Sequence, residues 1–187
     1  MTRKTKPFWQ IEMAAENILQ HHECYNAPYS GIDFIIECCK IDLIPINTDN
    51  QRLMGMLGDD SNGHRFIAYN KSMIPERILF TKAHELGHFI LEHKLKSDIL
   101  IENKDDERDP QETEANVFAS ALLMPKELTI KVIKKRLEDL QLYLDDDGKF
   151  NYGSLHKEQK DCLISAMKQN FHTSKEAIEW RIQNLFK

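Results

Sequence analysis

Apolar residues early in the chain recur at helical spacing. Apolar residues at Trp9, Ile11, Met13, Ala14 and Ile18 in "WQIEMAAENILQHH" predict an amphipathic helix. "NAPYSG" then breaks the pattern, with Pro28 and Gly31 as punctuation, and "IDFIIECCKI" predicts a second, shorter helix. Over 42–70 the pattern changes to short apolar or alternating runs, "DLIPIN", "RLMGML" and "HRFIAYN". The turn "GDDSNG" separates the last two, as in a hairpin, so a small antiparallel sheet is expected. "HRFIAYN" could serve as an edge strand for an extended peptide.

Helical periodicity returns at Pro75 and predicts a helix to about His93. The polar, acidic stretch "KSDILIENKDDERD" reads as a solvated loop. "DPQETEANVFASALLMP" predicts the next helix, with Asp109 as N-cap, Pro110 as first helical residue and Pro125 as stop. "KELTIKVIKKRLEDLQLYL" predicts another, followed by the connector "DDDGKFNYGS" and two helices over about 157–170 and 174–186. The fold class is α+β: mostly helical, with a small antiparallel three-stranded sheet beside the 75–93 helix. A core over 1–125 and a C-terminal helical extension over 126–187, packed on it, are expected.

Composition narrows the classes. At 41% hydrophobic and 29% charged residues, the chain suits a soluble globular protein. A formal charge of −5 argues against nucleic acid as the main partner, since phosphate binding needs a basic surface. The helix–turn–helix look of the last two helices is therefore read as a core hairpin. No run of about 18 apolar residues predicts a membrane span, and no apolar segment follows the basic N-terminus as a signal peptide requires. Cys24, Cys38, Cys39 and Cys162 form no CxxC pair, and the adjacent Cys38 and Cys39 read as buried, reduced thiols. These features together indicate the cytosol. "DDDG" is half a calcium loop without its bidentate glutamate, so calcium is not expected there.

The chemistry concentrates in "TKAHELGHFILEH". Residues i and i+4 share a helix face, so His84 and His88 can offer two imidazoles to one ion. Glu85 projects about 100° away and could act as general base without being a ligand, the logic of H-E-x-x-H zinc sites. The competing reading is a solvent-facing stripe of Thr81, His84, Glu85, His88 and Glu92 on an ordinary amphipathic helix. A catalytic zinc needs a third protein ligand. In "DPQETEANVFASALLMP" the inward face is marked by Ala115, Phe118, Ala119 and Leu122. Glu112 lies roughly 60° from the centre of that face and Glu114 roughly 100° away on the other side. Glu112 is the better candidate, and Asn116, one turn on, could orient it or a histidine. Against this, Glu112 occupies the N3 position, where a capping-box glutamate belongs.

"FTKAHELGHFILEH" followed by "ETEANVFASALLMP" resembles the ImmA/IrrE family of bacterial and phage zinc metallopeptidases. The likeness is strongest from about Phe66 to Pro125, and "FIAYN" and "NFHTSKEAIEWRIQNL" also fit the family's layout. It implies a zincin-like fold and a glutamate-type zinc site. His84, His88 and Glu112 would be the Zn2+ ligands, Glu85 the catalytic base, and Asn116 a residue orienting the ligands. It also implies a helix-turn-helix repressor as substrate, cleaved to relieve repression of phage, mobile-element or stress genes. Two rival readings are a regulator that sequesters the repressor without cutting it and a metal-free adaptor. The oxyanion donor is open among Tyr25, Tyr69 and His93. Lys82 departs from the family, which has an apolar residue there.

Overall fold

The structure is a computed structural model and describes residues 5–50, 53–94, 109–142 and 150–186. Most of the acidic stretch and the "DDDG" connector lie outside the described residues. The chain divides into two compact units, Met1–Leu123 and Met124–Lys187.

The first unit holds α1 (Phe8–His21), α2 (Pro28–Cys38), β1 (Asp42–Ile46), β2 (Gly55–Asp59), β3 (Arg65–Asn70), α3 (Pro75–Ile90) and α4 (Pro110–Leu123). Pro28 does not break the chain as expected but opens α2, where a missing N–H costs nothing. Gly31 lies inside that helix because a Cβ there would fall 2.5 Å from Cys24 Sγ. Cys38 and Cys39 are free, but the expectation of burial fails: Cys38 is exposed and Cys39 half-buried. The core face of α2 is set by Ile32, Ile35 and Ile36, and Cys38 falls on the outer side.

The three strands stand in the order β1-β3-β2. The β2–β3 hairpin is antiparallel as expected, with Leu57 opposite Ile67. β1, however, joins β3 in parallel, with Pro45 opposite Tyr69, so the sheet is mixed. β3, expected as an edge, is the central strand, and the edges are β1 and β2. Pro45 fits this order, because an edge strand tolerates a missing donor.

α4 is the centre of the unit. Ten of its residues are buried, from Glu112 to Leu123 and on every side of the helix, as expected of a helix covered all round. Asp109 accepts the Gln111 N–H at 2.9 Å and starts it. α3 crosses it closely at Gly87, where a Cβ would come within 3.0 Å of Phe118 and 3.3 Å of the Ala115 carbonyl.

The second unit holds α5 (Lys126–Asp139), a short 3-10 turn, α6 (Lys157–Phe171) and α7 (Lys175–Leu185). Its core is built on Ile133, Leu137, Leu163, Met167, Phe171 and Ile182. Buried Arg181 donates Nε–H to the Met124 carbonyl at 3.0 Å. No helix among the described residues is long and apolar enough to cross a membrane.

Candidate metal centre

Within α3 the polar stripe does not face solvent; only Glu92, past the helix end, is exposed. Thr81, Glu85 and His88 are buried, and His84 is half-buried. His84 and His88 bring their Nε2 atoms within 2.9 Å of each other. Across from them, Glu112 Oε2 lies 3.2 Å from His84 Nε2 and 3.5 Å from His88 Nε2. With ligand bonds of about 2.0–2.2 Å, a tetrahedral zinc spaces its donors by roughly 3.3 Å. The triangle formed by these three atoms has edges of that size, and these residues form a His–His–carboxylate group able to hold a metal.

The hydrogen bonds around the histidines favour that use. His84 Nδ1 lies 2.9 Å from Asn116 Oδ1. An amide oxygen accepts, so His84 carries its proton on Nδ1 and presents the Nε2 lone pair to the cluster. Burial disfavours protonated His84, but the Glu112 hydrogen bond and the nearby Glu85 and Glu112 charges outweigh it and raise its pKa. Burial likewise works against charged Glu112, yet its two histidine partners hold its carboxyl well below the usual range. The group thus favours positive charge at its centre, the property a cation site needs.

Glu85 lies beside the cluster under β2. Its Oε2 is buried and receives no hydrogen bond from the described residues, although it belongs to an ionisable side chain. Burial pushes its carboxyl pKa up, while the His84 and His88 rings and the Leu57 backbone N–H of β2 offset part of the rise. A buried carboxyl with a raised pKa suits a role in proton transfer. Nearby, a cleft of about 490 Å³ is lined by Leu57, Arg65, His88, Phe89 and His93.

Residues 36–183 match the IrrE N-terminal-like domain, a peptidase family. The chain belongs to that family. The "Uncharacterized immunity region protein 2" of Bacillus phage phi105 is 29% identical over 67% of this chain and 75% of its own length. The "Radiation response metalloprotease IrrE" of Deinococcus deserti is 44% identical over 68 residues, which are 35% of this chain but only 24% of that protein. A solved structure of a Mycobacterium tuberculosis transcriptional regulator shares the fold, with a TM-score of 0.55 and 14% identity over 92% of this chain and 46% of that one. This IrrE-like chain thus spans less than half of two of these relatives.

Two buried residues at the centre escaped the sequence reading of the IrrE-like site. Glu114, set aside as facing the wrong way, is fully buried. His93, considered as an oxyanion donor, is buried behind His88, with its Nδ1 3.0 Å from His88 Nδ1. Its other nitrogen, Nε2, lies 3.0 Å from Glu114 Oε2. Tyr69 carries the Lys82 ammonium 4.5 Å above its ring. The helix end explains the position of His93. Glu92 takes the left-handed conformation at φ 55°. The His93 N–H then returns to the His88 carbonyl at 2.9 Å and the Glu92 N–H to Phe89 at 3.1 Å, a Schellman motif. This closure folds His93 back against the ring of the residue five before it.

Proposed function

We propose that this protein is a zinc-dependent endopeptidase that cleaves a helix-turn-helix transcriptional repressor and so relieves repression of phage, mobile-element or stress genes. The observation that carries the reading is the convergence of His84, His88 and Glu112 on one point, with buried Glu85 beside it. His84, His88 and Glu112 hold the ion, and Asn116 fixes the His84 ring. Bound zinc supplies Lewis acidity, polarising a peptide carbonyl and making water nucleophilic near neutral pH. Glu85 takes the proton from the attacking water at its free Oε2 and returns it to the leaving amine. As an edge strand beside Glu85, β2 would align an extended peptide by strand addition. The phage immunity-region relative supports a regulatory substrate.

The test is to purify the protein without chelator, measure its zinc, and incubate it with the repressor encoded beside its gene. Wild type is expected to carry about one zinc per chain and to cut the repressor. Glu85→Gln should keep the metal and lose roughly 10²–10⁴-fold in cleavage rate. Protein free of zinc would sink the reading. Full relief of repression by Glu85→Gln would replace it with sequestration.

A further inference from the structure

Behind His88 runs a line of buried polar groups that the proposed peptidase chemistry does not use. His88 Nδ1 meets His93 Nδ1 at 3.0 Å, and His93 Nε2 meets Glu114 Oε2 at 3.0 Å. Both the His93 and the Glu114 side chains are fully buried. The line ends on the N-terminal segment: the Lys6 backbone N–H donates to Glu114 Oε1 at 2.7 Å. The Lys6 ammonium donates to the Leu91 carbonyl at 2.7 Å and lies 3.5 Å from Glu114 Oε2.

With His93 a neutral imidazole, these contacts admit one consistent direction. Ionised Glu114 can only accept, so His93 must place a proton on Nε2. His93 Nδ1 is then an acceptor, and His88 must donate from its own Nδ1. That leaves the lone pair of His88 on Nε2, aimed at His84 and Glu112. On the other histidine, Asn116 sets the same tautomer. The two ligands are thus oriented by different devices, a direct amide for His84 and a histidine–carboxylate relay for His88.

We propose that His93 and Glu114 are positioning residues that fix the tautomer and ring orientation of His88, and that Lys6 anchors the far end of this relay. The inference rests on the metal site proposed above, but its test reads metal affinity, not peptide cleavage. Partners of this kind are worth about 10–100-fold in metal affinity when lost.

Zinc affinity is measured by competition with a chromogenic chelator on the full chain, alongside the melting temperature of the metal-free protein. His93→Phe, which removes both hydrogen bonds, is expected to weaken zinc binding about 10–100-fold. His93→Gln offers an amide oxygen to His88 and an N–H to Glu114, and should recover most of that affinity. A merely structural role would make affinity follow melting temperature, not the hydrogen-bonding capacity of the side chain. If His93→Phe fails to fold, Glu114→Gln decides the matter: it keeps the volume, removes the charge, and should weaken zinc binding measurably. Wild-type affinity in either His93→Phe or Glu114→Gln overturns the relay, as does equal loss in His93→Gln and His93→Phe. A wild-type chain that binds no zinc fails the metal site itself, a separate outcome.

Discussion

Lys82 is a buried cation two residues before the first metal-site histidine. Its ammonium sits 2.8 and 2.9 Å from the two Asp33 oxygens and over the Tyr69 ring. The partners are unequal: the Lys82 side chain is 10% exposed and that of Asp33 61%. Removing one or the other therefore has different consequences. Lys82→Met supplies the apolar residue typical of the family and leaves Asp33 in water, so stability should change by less than about 1 kcal/mol. Asp33→Ala leaves the buried ammonium with only an aromatic face and should cost roughly 1–3 kcal/mol. Urea denaturation of the two variants checks the order, and equal costs would refute it. His93 makes a pH prediction at the same scale. Burial lowers its pKa from 6.5 to about 4, against the opposing pull of Glu114. A lowered folded value means stability that is complete above the unfolded pKa and lost as pH falls toward the folded one. In chelator-treated protein, His93 should thus contribute a loss on the order of 3 kcal/mol from pH 6.5 to 4. His84, whose pKa is raised, acts with the opposite sign. The His93 part is isolated by subtracting the profile of His93→Gln, in which the loss should be absent. Of the candidate-site residues, His84, Glu85 and His88 were flagged by spacing, which left an ordinary amphipathic helix open. Glu112 needed the helical wheel and the family likeness to prevail over its capping alternative. His93 was not legible as a partner of His88, because a five-residue separation brings side chains together only when a left-handed residue closes the helix end.

At the scale of elements, the site depends on how closely α3 and α4 approach. Gly87 lies between Glu85 and His88 and against Phe118, which is fully buried. Gly87→Ala would ordinarily favour a helix by up to about 1 kcal/mol. Here the new methyl would meet Phe118 Cδ1 at 3.0 Å and the Ala115 carbonyl at 3.3 Å. Neither neighbour is the free end of a flexible side chain, so overpacking of about 1–3 kcal/mol should prevail. α4 carries Glu112 and Asn116, and any shift that relieves the contact also moves a proposed ligand. A lower melting temperature together with weaker zinc binding is expected; an alanine variant at least as stable as wild type would contradict it. The helices of both units were legible because their caps and periodicity are local. Gln111 receives its cap from Asp109, and Pro75 and Pro110 each open a helix as read, whereas Pro28, read as a breaker, opens one too. The sheet order was not, because the parallel pairing of Asp42–Ile46 with Phe66–Asn70 joins segments across an intervening strand. No turn signal encodes such a pairing. Glu114 was misread for a related reason. The wheel assumed one inward face, whereas α4 is buried on every side.

For the whole molecule, all the residues proposed to hold and orient the metal come from the unit Met1–Leu123. With the three proposed ligands on two helices, α3 and α4, bound zinc would cross-link elements far apart in sequence. Zinc that binds the folded but not the unfolded chain stabilises it by about 4 kcal/mol when free metal exceeds its Kd by about 1,000-fold. Stripping the metal should therefore lower the free energy of opening α3 and α4 by several kcal/mol. The second unit supplies no ligand and has its own core around Leu163, Met167 and Ile182. Hydrogen exchange with and without chelator separates the two. Amides of α3 and α4 are expected to lose protection on metal removal, while those of α6 and α7 keep theirs. Equal loss in both units would show that the metal holds the whole chain together and not one helix pair. Unchanged exchange in α3 and α4 would mean that His84, His88 and Glu112 hold no metal of structural consequence.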